Sequence, residues 1–428
     1  MNKSGSALRF LIYSAIGFFM FFIPVNFNGS SSIPIDHIVT WIRQNLAKPA
    51  LIYALIVTAI GAIMPWINGV YKKSKVDFIF SIFKIAGIII ALIVYFNAGP
   101  KWMMDPNVGP FLLNKLVVPV GLIVPIGSVF LAFLVGYGLM EFVGTFLRPV
   151  MRALFKTPGR SAIDAIASFV GSYSIALLIT NKVFKEGKYT IKEAAIIATG
   201  FSTVSATFMI IVAKTLKLMD MWNTFFWVTF FVTFIVTAVT ARIWPLSKKQ
   251  DEYIGTPNPE KEVKGNLLAI AWEEALKSAS EAPDIWENIV QNLKDGFKMA
   301  TSILPTIMSV GFLGLILAKY TLLFDIIGWI YYPFTAILRL PQPFLAAKAC
   351  AVEIAEMFLP AMIAAEAPIV TKFVVGVVSI SAILFFSASI PCILSTEIPL
   401  NLAEILAIWV ERTILSIIFA AIIAMVIF

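Results

Sequence analysis

Runs of about twenty consecutive apolar residues recur along the whole chain, near 10–25, 51–69, 78–97, 112–140, 191–213, 222–245, 299–319, 369–395 and 402–428. Each is long enough to cross, as a helix, a hydrocarbon core about 30 Å thick. Of the 428 residues, 59% are hydrophobic and only 14% are charged, too few polar groups to clothe a soluble fold of this size. The chain therefore reads as an all-α polytopic membrane protein. The net charge of +8 does not point to nucleic acid, because the basic residues cluster beside apolar runs as the positive-inside rule requires. One histidine, His37, and two distant cysteines, Cys350 and Cys392, supply neither a zinc or haem site nor a disulfide framework.

Basic clusters set the direction of the spans. Lys3 and Arg9 precede a first apolar run with no small-residue cleavage site after it, which predicts an uncleaved span with a cytoplasmic N-terminus. Counting from there, "YKKSK" (71–75), the series Arg148, Arg152, Lys156, Arg160 and "RIWPLSKKQ" (242–250) all fall on the cytoplasmic side. The four-residue spacing from Arg148 to Arg160 predicts four cations on one face of an interfacial helix, snorkelling to headgroups. The stretch 248–298 holds 10 of the 25 acidic residues and two apolar stripes at helical spacing, one from Leu267 to Leu276 and one from Ile285 to Leu293. It reads as a cytoplasmic linker whose amphipathic helices lie on the membrane surface or the bundle, or dock a partner.

The sequence also matches itself. A shift of 184 residues aligns Gly127 with Gly311, Leu131 with Leu315, Leu139 with Leu323, Gly144 with Gly328, Pro149 with Pro333 and Leu154 with Leu338. One further residue of offset pairs Phe201-Ser202 with Phe386-Ser387. Three spans separate the copies, so they run oppositely through the bilayer. Inverted-topology repeats are typical of secondary transporters, with the binding site at the repeat interface near the midplane. The predicted organisation is an N-terminal three-span scaffold (1–110), repeat 1 (111–247), the linker (248–294) and repeat 2 (295–428).

Each copy holds a segment too polar and too broken for a simple span. "RSAIDAIASFVGSYSIALLITNKVFKEGK" (160–188) begins and ends with cations and is divided by "GSYS" into two half-length helices, predicting a re-entrant hairpin. "PFLAAKACAVEIAEMFLPAMIAAEAP" (343–368), broken around Glu353 to Phe358, is its counterpart from the outer side. After each hairpin comes a span with polar residues at mid-depth. These are "GFSTVSATF" in 191–213, with Ser202, Thr203, Ser205 and Thr207, and "FFSASIPC" in 369–395, where Pro391 favours a kink or unwound turn. Unwound backbone at membrane depth is tolerated only inside protein or beside a wet cavity.

Carboxylates sharpen the reading. Glu353 and Glu356, three apart and hence on one helical face, sit at the second hairpin tip among apolar residues. A charge there costs at least about 2.5–3.5 kcal/mol on insertion scales, so such groups usually face a cavity. They are candidates for hydrogen-bonding a solute, holding a sodium ion or carrying a proton; the structural alternative is a buried pairing with a lysine such as Lys348. Asp164 and Glu193 are expected to be solvated or salt-bridged. Tyr173 and Ser172 at the first tip are further candidates, as are the hydroxyls of 202–207, whose alternative role is small-residue helix packing.

The run "LRPVMRALFKTPGRSAIDAIASFVGSYSIALLITNKVFKEGKYTIKEAAIIATGFSTVSATFMIIVAKTL" resembles the YjiH family of membrane proteins, which carry the Gate, or nucleoside recognition, domain. The resemblance extends over nearly the whole chain and includes, more distantly, concentrative nucleoside transporters. It implies two re-entrant hairpins, two partly unwound helices and an elevator-like unit moving against a scaffold, in a bacterial cytoplasmic (inner) membrane. By position it implies solute binding by Ser172, Tyr173 and Ser174, by Ser202, Thr203 and Ser205, and by Glu353, Glu356, Ser387 and Ser389. The first tip reads "GSYS" and "FFSASIPC" holds no asparagine, both departures from the nucleoside transporters.

The expectation is a secondary active transporter of a small polar organic solute, a nucleoside or related compound, coupled to sodium or protons through Glu353 and Glu356. The rival is a non-transporting membrane subunit that assembles with a second Gate-domain protein; a homo-oligomer is the other arrangement. No cofactor, no metal and no Ser-His constellation is implied, so the chain does not read as an enzyme.

Overall fold

The computed structural model describes residues 3–23, 25–27, 30–72, 75–106, 108–170, 173–204, 206–254, 256–257, 265–387, 389–394 and 396–428. Among them, six helices are long and apolar enough to cross a membrane: Ala47–Ile67, Asp77–Tyr95, Gly109–Phe130, Met219–Thr240, Ile285–Tyr320 and Leu402–Ile427. The protein is an all-α polytopic membrane protein. Its described strands are two short antiparallel pieces, β1 (Val25–Phe27) and β2 (Ser30–Ser32).

The N-terminal region consists of α1 (Lys3–Phe22), α2 (Pro34–Asn45), α3 (Ala47–Ile67) and α4 (Lys75–Tyr95). Two further runs of helices follow. The first run starts with α5 (Gly109–Phe111), which continues through a wide turn into α6 (Val118–Val135). It goes on through α7 (Leu139–Val150), α8 (Ser161–Val170), α9 (Tyr173–Lys185), α10 (Ile191–Gly200), α11 (Ala206–Thr215) and α12 (Trp222–Thr240). After α13 (Leu267–Glu281) the second run is α14 (Ile285–Tyr320), α15 (Leu323–Ile337), α16 (Pro343–Val352), α17 (Leu359–Ile363), α18 (Ile369–Ser381), α19 (Ser389–Leu394) and α20 (Leu402–Ile427). Short paired helices, α8–α9 and α16–α17, occupy the segments expected to be hairpins, and each is followed by a helix in two pieces.

The helix α14 joins the parts, packing against α3, α4 and α6. Gly61 makes the approach of α3 possible: a Cβ there would lie 1.7 Å from the Thr301 carbonyl oxygen. Small residues at such crossings let backbones meet where burial of apolar surface gives no advantage over lipid.

Polar contacts sort into two groups, matching the two ends of the spans. At one end Arg148 pairs with Glu274 (3.1 Å), Lys185 with Glu397 (2.7 Å) and Lys249 with Glu404 (2.8 Å), and Arg242 donates to the Ala153 carbonyl (3.0 Å). At the other, Lys214 pairs with Asp36 (2.6 Å), Lys217 with Glu366 (3.0 Å) and Lys348 with Asp325 (2.8 Å). Each pair joins segments that the count of spans puts on the same side.

Three local expectations change. The stripe from Ile285 to Leu293 is not a separate helix; it is the start of α14, a continuous helix of 36 residues. No proline separates it from the span, and Gly296 is accommodated against Ser128. At 1.5 Å per residue such a helix is about 54 Å long, well beyond a 30 Å core. The four cations from Arg148 to Arg160 do not share a helical face either. The helix α7 gives way to a wide turn over 151–155, and Lys156 adopts a left-handed φ of 56° just before Pro158 and Gly159. Finally, the second broken helix unwinds over 382–387, ahead of Pro391, which sits in the first turn of α19, where a missing N–H costs nothing.

Candidate functional site

Hairpin tips and helix breaks meet around a central cavity of about 260 Å³. Tyr173, the first residue of α9, lines it with Val204 from the first break. Glu356, from the tip between α16 and α17, faces them with Phe385 and Ser387 from the second break. More of the wall comes from Asp77, Phe80 and Lys84 on α4 and from Ser302 and Thr306 on α14. The cavity thus offers carboxylates, one ammonium, hydroxyls and aromatic faces; the Tyr173 and Phe385 rings meet edge to face at 5.9 Å.

The unwound backbone is satisfied by its neighbours. Phe386 and Ser387 donate their N–H groups to the Ile354 and Ala355 carbonyls of the hairpin tip, at 2.7 and 3.1 Å. Ser389 accepts from the Phe385 N–H (2.9 Å) and donates to the Ile383 carbonyl (2.7 Å). In the first run, Ser168 of α8 donates to the Thr203 carbonyl at 2.7 Å. Such bonds let backbone leave the helix at membrane depth.

The structure divides the candidate residues. Tyr173, Glu356 and Ser387 line the cavity. Ser389 is buried and committed to the break itself. Ser202 and Thr203 are buried outside the cavity wall, and their hydroxyls make no hydrogen bond. Ser172, Ser205 and the side chains of Ser174 and Thr207 lie outside the described residues. Glu353 and Glu356 do not share a helical face, because α16 ends at Val352 and both stand in the unwound tip. Glu356 turns to the cavity and accepts the Phe358 N–H at 2.7 Å. Glu353, fully buried, turns toward α20, where Trp409 Nε1 donates to its Oε2 at 2.5 Å. Lys348 pairs with Asp325 rather than with either glutamate. Asp164, expected to be solvated or salt-bridged, is buried and accepts from Tyr189 (2.6 Å) and Thr180 (3.0 Å). Glu193 forms a capping box with Thr190.

The sequence reading missed two cations. Lys84 stands alone in the apolar run 78–97 and reaches the cavity wall. Arg412, in the last span, is completely buried. Its Nη2 donates to the Ser381 carbonyl (2.8 Å), its Nε to Ser381 and Ala382 (3.2 Å each) and its Nη1 to Thr237 Oγ1 (3.0 Å). The signal was present: an ionisable residue within a span is a functional candidate by default.

Comparison with known proteins places these parts. The Gate model, described as nucleoside recognition, matches residues 117–219. That stretch holds the first hairpin and first break, but not Lys84, Glu356, Ser387 or Arg412. An uncharacterized protein of Alkalihalophilus pseudofirmus, BpOF4_10220, is 31% identical over 427 residues, covering 96% of this chain and 92% of that one. The chain belongs to its family. It is a Gate-domain membrane protein. Two solved structures of CNTnw variants are also similar. One, in the intermediate 1 state, gives a TM-score of 0.44 at 15% identity, covering 99% of this chain and 92% of that one. The other, in an outward-facing state, gives 0.40 at 14% identity, covering 99% of each. In this Gate protein, among the described residues, no group of histidine, cysteine, aspartate and glutamate is arranged to hold a metal ion.

Proposed function

We propose that the protein is a secondary active transporter that holds a small polar organic solute in the central cavity, a nucleoside or related compound being the leading candidate. The observation that carries this reading is the composition of the cavity wall. Side chains from both hairpin segments and both helix breaks converge there with side chains from α4 and α14. A solute bound at that junction touches both runs of helices and the N-terminal region at once, as alternating access around a fixed site demands. The two runs are read as inverted repeats and the short helix pairs as re-entrant. The hairpins and broken helices then move, elevator-like, against a frame made of α3, α4, α6 and α14. Coupling to an ion is assigned to the tip carboxylates Glu353 and Glu356.

The test is uptake by proteoliposomes of tritiated uridine, adenosine, leucine and a dipeptide, with and without an ion gradient. Glu356→Gln should lower uptake of the transported solute by roughly tenfold or more, the loss expected for one charge-assisted hydrogen bond. Uptake of none of the probes, with a second Gate-domain protein co-purifying from native membranes, favours the non-transporting subunit instead.

A further inference from the structure

Both broken helices end in carbonyl groups that no longer have a helical partner. The helix α10 stops at Gly200 and α18 at Ser381, with Ala382 as its cap. The carboxyl end of a helix carries about half a negative charge, so two ends brought together present about one full negative charge. In transporters built on discontinuous helices, such carbonyls are where a coupling cation is coordinated.

Here the positive charge is covalent. Arg412 donates directly to the Ser381 and Ala382 carbonyls at the end of α18. It reaches the end of α10 through one hydroxyl, since Thr237 Oγ1 accepts from Arg412 and shares its proton between the Gly200 carbonyl at 2.8 Å and the Thr233 carbonyl at 2.7 Å. No space is wasted at that junction: a Cβ on Gly200 would lie 2.2 Å from the Thr237 methyl. One turn earlier on α20, Trp409 holds Glu353. The guanidinium is therefore met by carbonyl ends and a hydroxyl, within a fully buried position.

We propose that Arg412 is a resident cation occupying, between the two broken helices, the place a sodium ion would need, so that these helix ends bind no sodium. This deepens the transport reading and rests on it only for its physiological meaning; the binding claim stands on its own. If transport is coupled, the coupling ion is held away from these helix ends, at the tip carboxylates Glu353 and Glu356.

The experiment needs no knowledge of the solute. Binding of radioactive sodium to the purified protein is measured by scintillation proximity, and melting temperature is followed against NaCl with choline chloride holding ionic strength constant. The wild-type protein should show no sodium binding or sodium-specific shift beyond what Glu356→Gln, at the cavity, removes. Arg412→Ala, which empties the site but leaves both helix ends, should gain saturable sodium binding and a sodium-specific rise of about 2 °C or more. Arg412→Lys, which keeps a charge there, should gain neither. Sodium binding by the wild type that survives Glu356→Gln overturns the proposal, as does a folded Arg412→Ala protein that gains no sodium site. Should Arg412→Ala fail to fold, the comparison of wild type with Glu356→Gln decides. Failure of uptake in proteoliposomes counts against the transport reading and leaves these outcomes unchanged.

Discussion

Trp409 donates its indole N–H to one carboxylate oxygen of Glu353 across 2.5 Å, and the other oxygen of Glu353 has no hydrogen-bond partner. The bond ties the tip of the second hairpin to the last span, between residues 56 apart in the chain. Trp409→Phe keeps the aromatic surface that packs edge-on against Tyr331 but removes the donor. It should destabilise the protein by about 1–3 kcal/mol, the penalty for a buried acceptor left unmet. Glu353→Gln keeps an acceptor for the indole and should lose less. Melting temperatures of the two variants in detergent check the order, and a Trp409→Phe protein as stable as wild type would remove the bond from the account.

The contact between Gly200 and Thr237 gives a second expectation. Gly200→Ala forces a methyl group to within 2.2 Å of the Thr237 methyl, in a place lined by packed helix backbone. Overpacking of this kind costs about 1–3 kcal/mol. Thr237→Val keeps the volume but removes the oxygen that accepts from Arg412 and donates to Gly200. Because both substitutions disturb one junction, their effects should fall short of additive in a double-mutant cycle. Independent, additive losses would show that the two residues do not act together.

Much of this arrangement is visible in the residues before any coordinates. The short helix pairs are legible because 160–188 and 343–368 are apolar yet interrupted. The first helix break is legible because glycine and hydroxyls cluster where a span should be featureless. What escapes is direction. Counting three residues from Glu353 to Glu356 puts them on one face only if the helix continues, and it stops at Val352. Phe201 and Phe386 match in sequence, but Phe201 caps α10 whereas Phe386 lies inside the second break. Arg412 escapes for another reason: its partners at Ser381 and Thr237 are 31 and 175 residues away, and nothing local marks them. The break in α7 after Val150 was readable from Pro158 and Gly159, yet the regular spacing of the cations suggested a longer helix.

The two cysteines offer a test of the cavity itself. Cys392 lines it and is partly accessible, while Cys350 is only 1% exposed within α16. A small methanethiosulfonate reagent should therefore modify Cys392 well before Cys350, read by mass spectrometry of the intact protein. Replacing Cys392 with serine should abolish the fast phase. A bulky adduct on Cys392 fills part of the 260 Å³ space and should block uptake of the transported solute. Equal labelling of the two thiols would mean that no such cavity is open to solvent.

Lys84 is the only cation among the described residues that line the cavity. Its hydrogen bond to Ser302 is long, 3.4 Å, so most of its donor capacity remains for something else. Asp77, two turns earlier on α4, shares the wall and offsets part of the charge. A solute with an acidic group placed against Lys84 gains a charge-assisted hydrogen bond worth about 1.5–3 kcal/mol, or roughly 10- to 100-fold in affinity. Lys84→Met keeps the length and apolar stem of the side chain and removes that gain. The comparison is between matched solutes, uridine with uridine 5′-monophosphate and leucine with glutamate, each read by ligand-dependent shift in melting temperature. The substitution should move the preference toward the neutral member of whichever pair binds by about tenfold. A ratio that stays where it was, in a variant that still binds, would reduce Lys84 to a half-buried lysine satisfied by Ser302 and the field of Asp77.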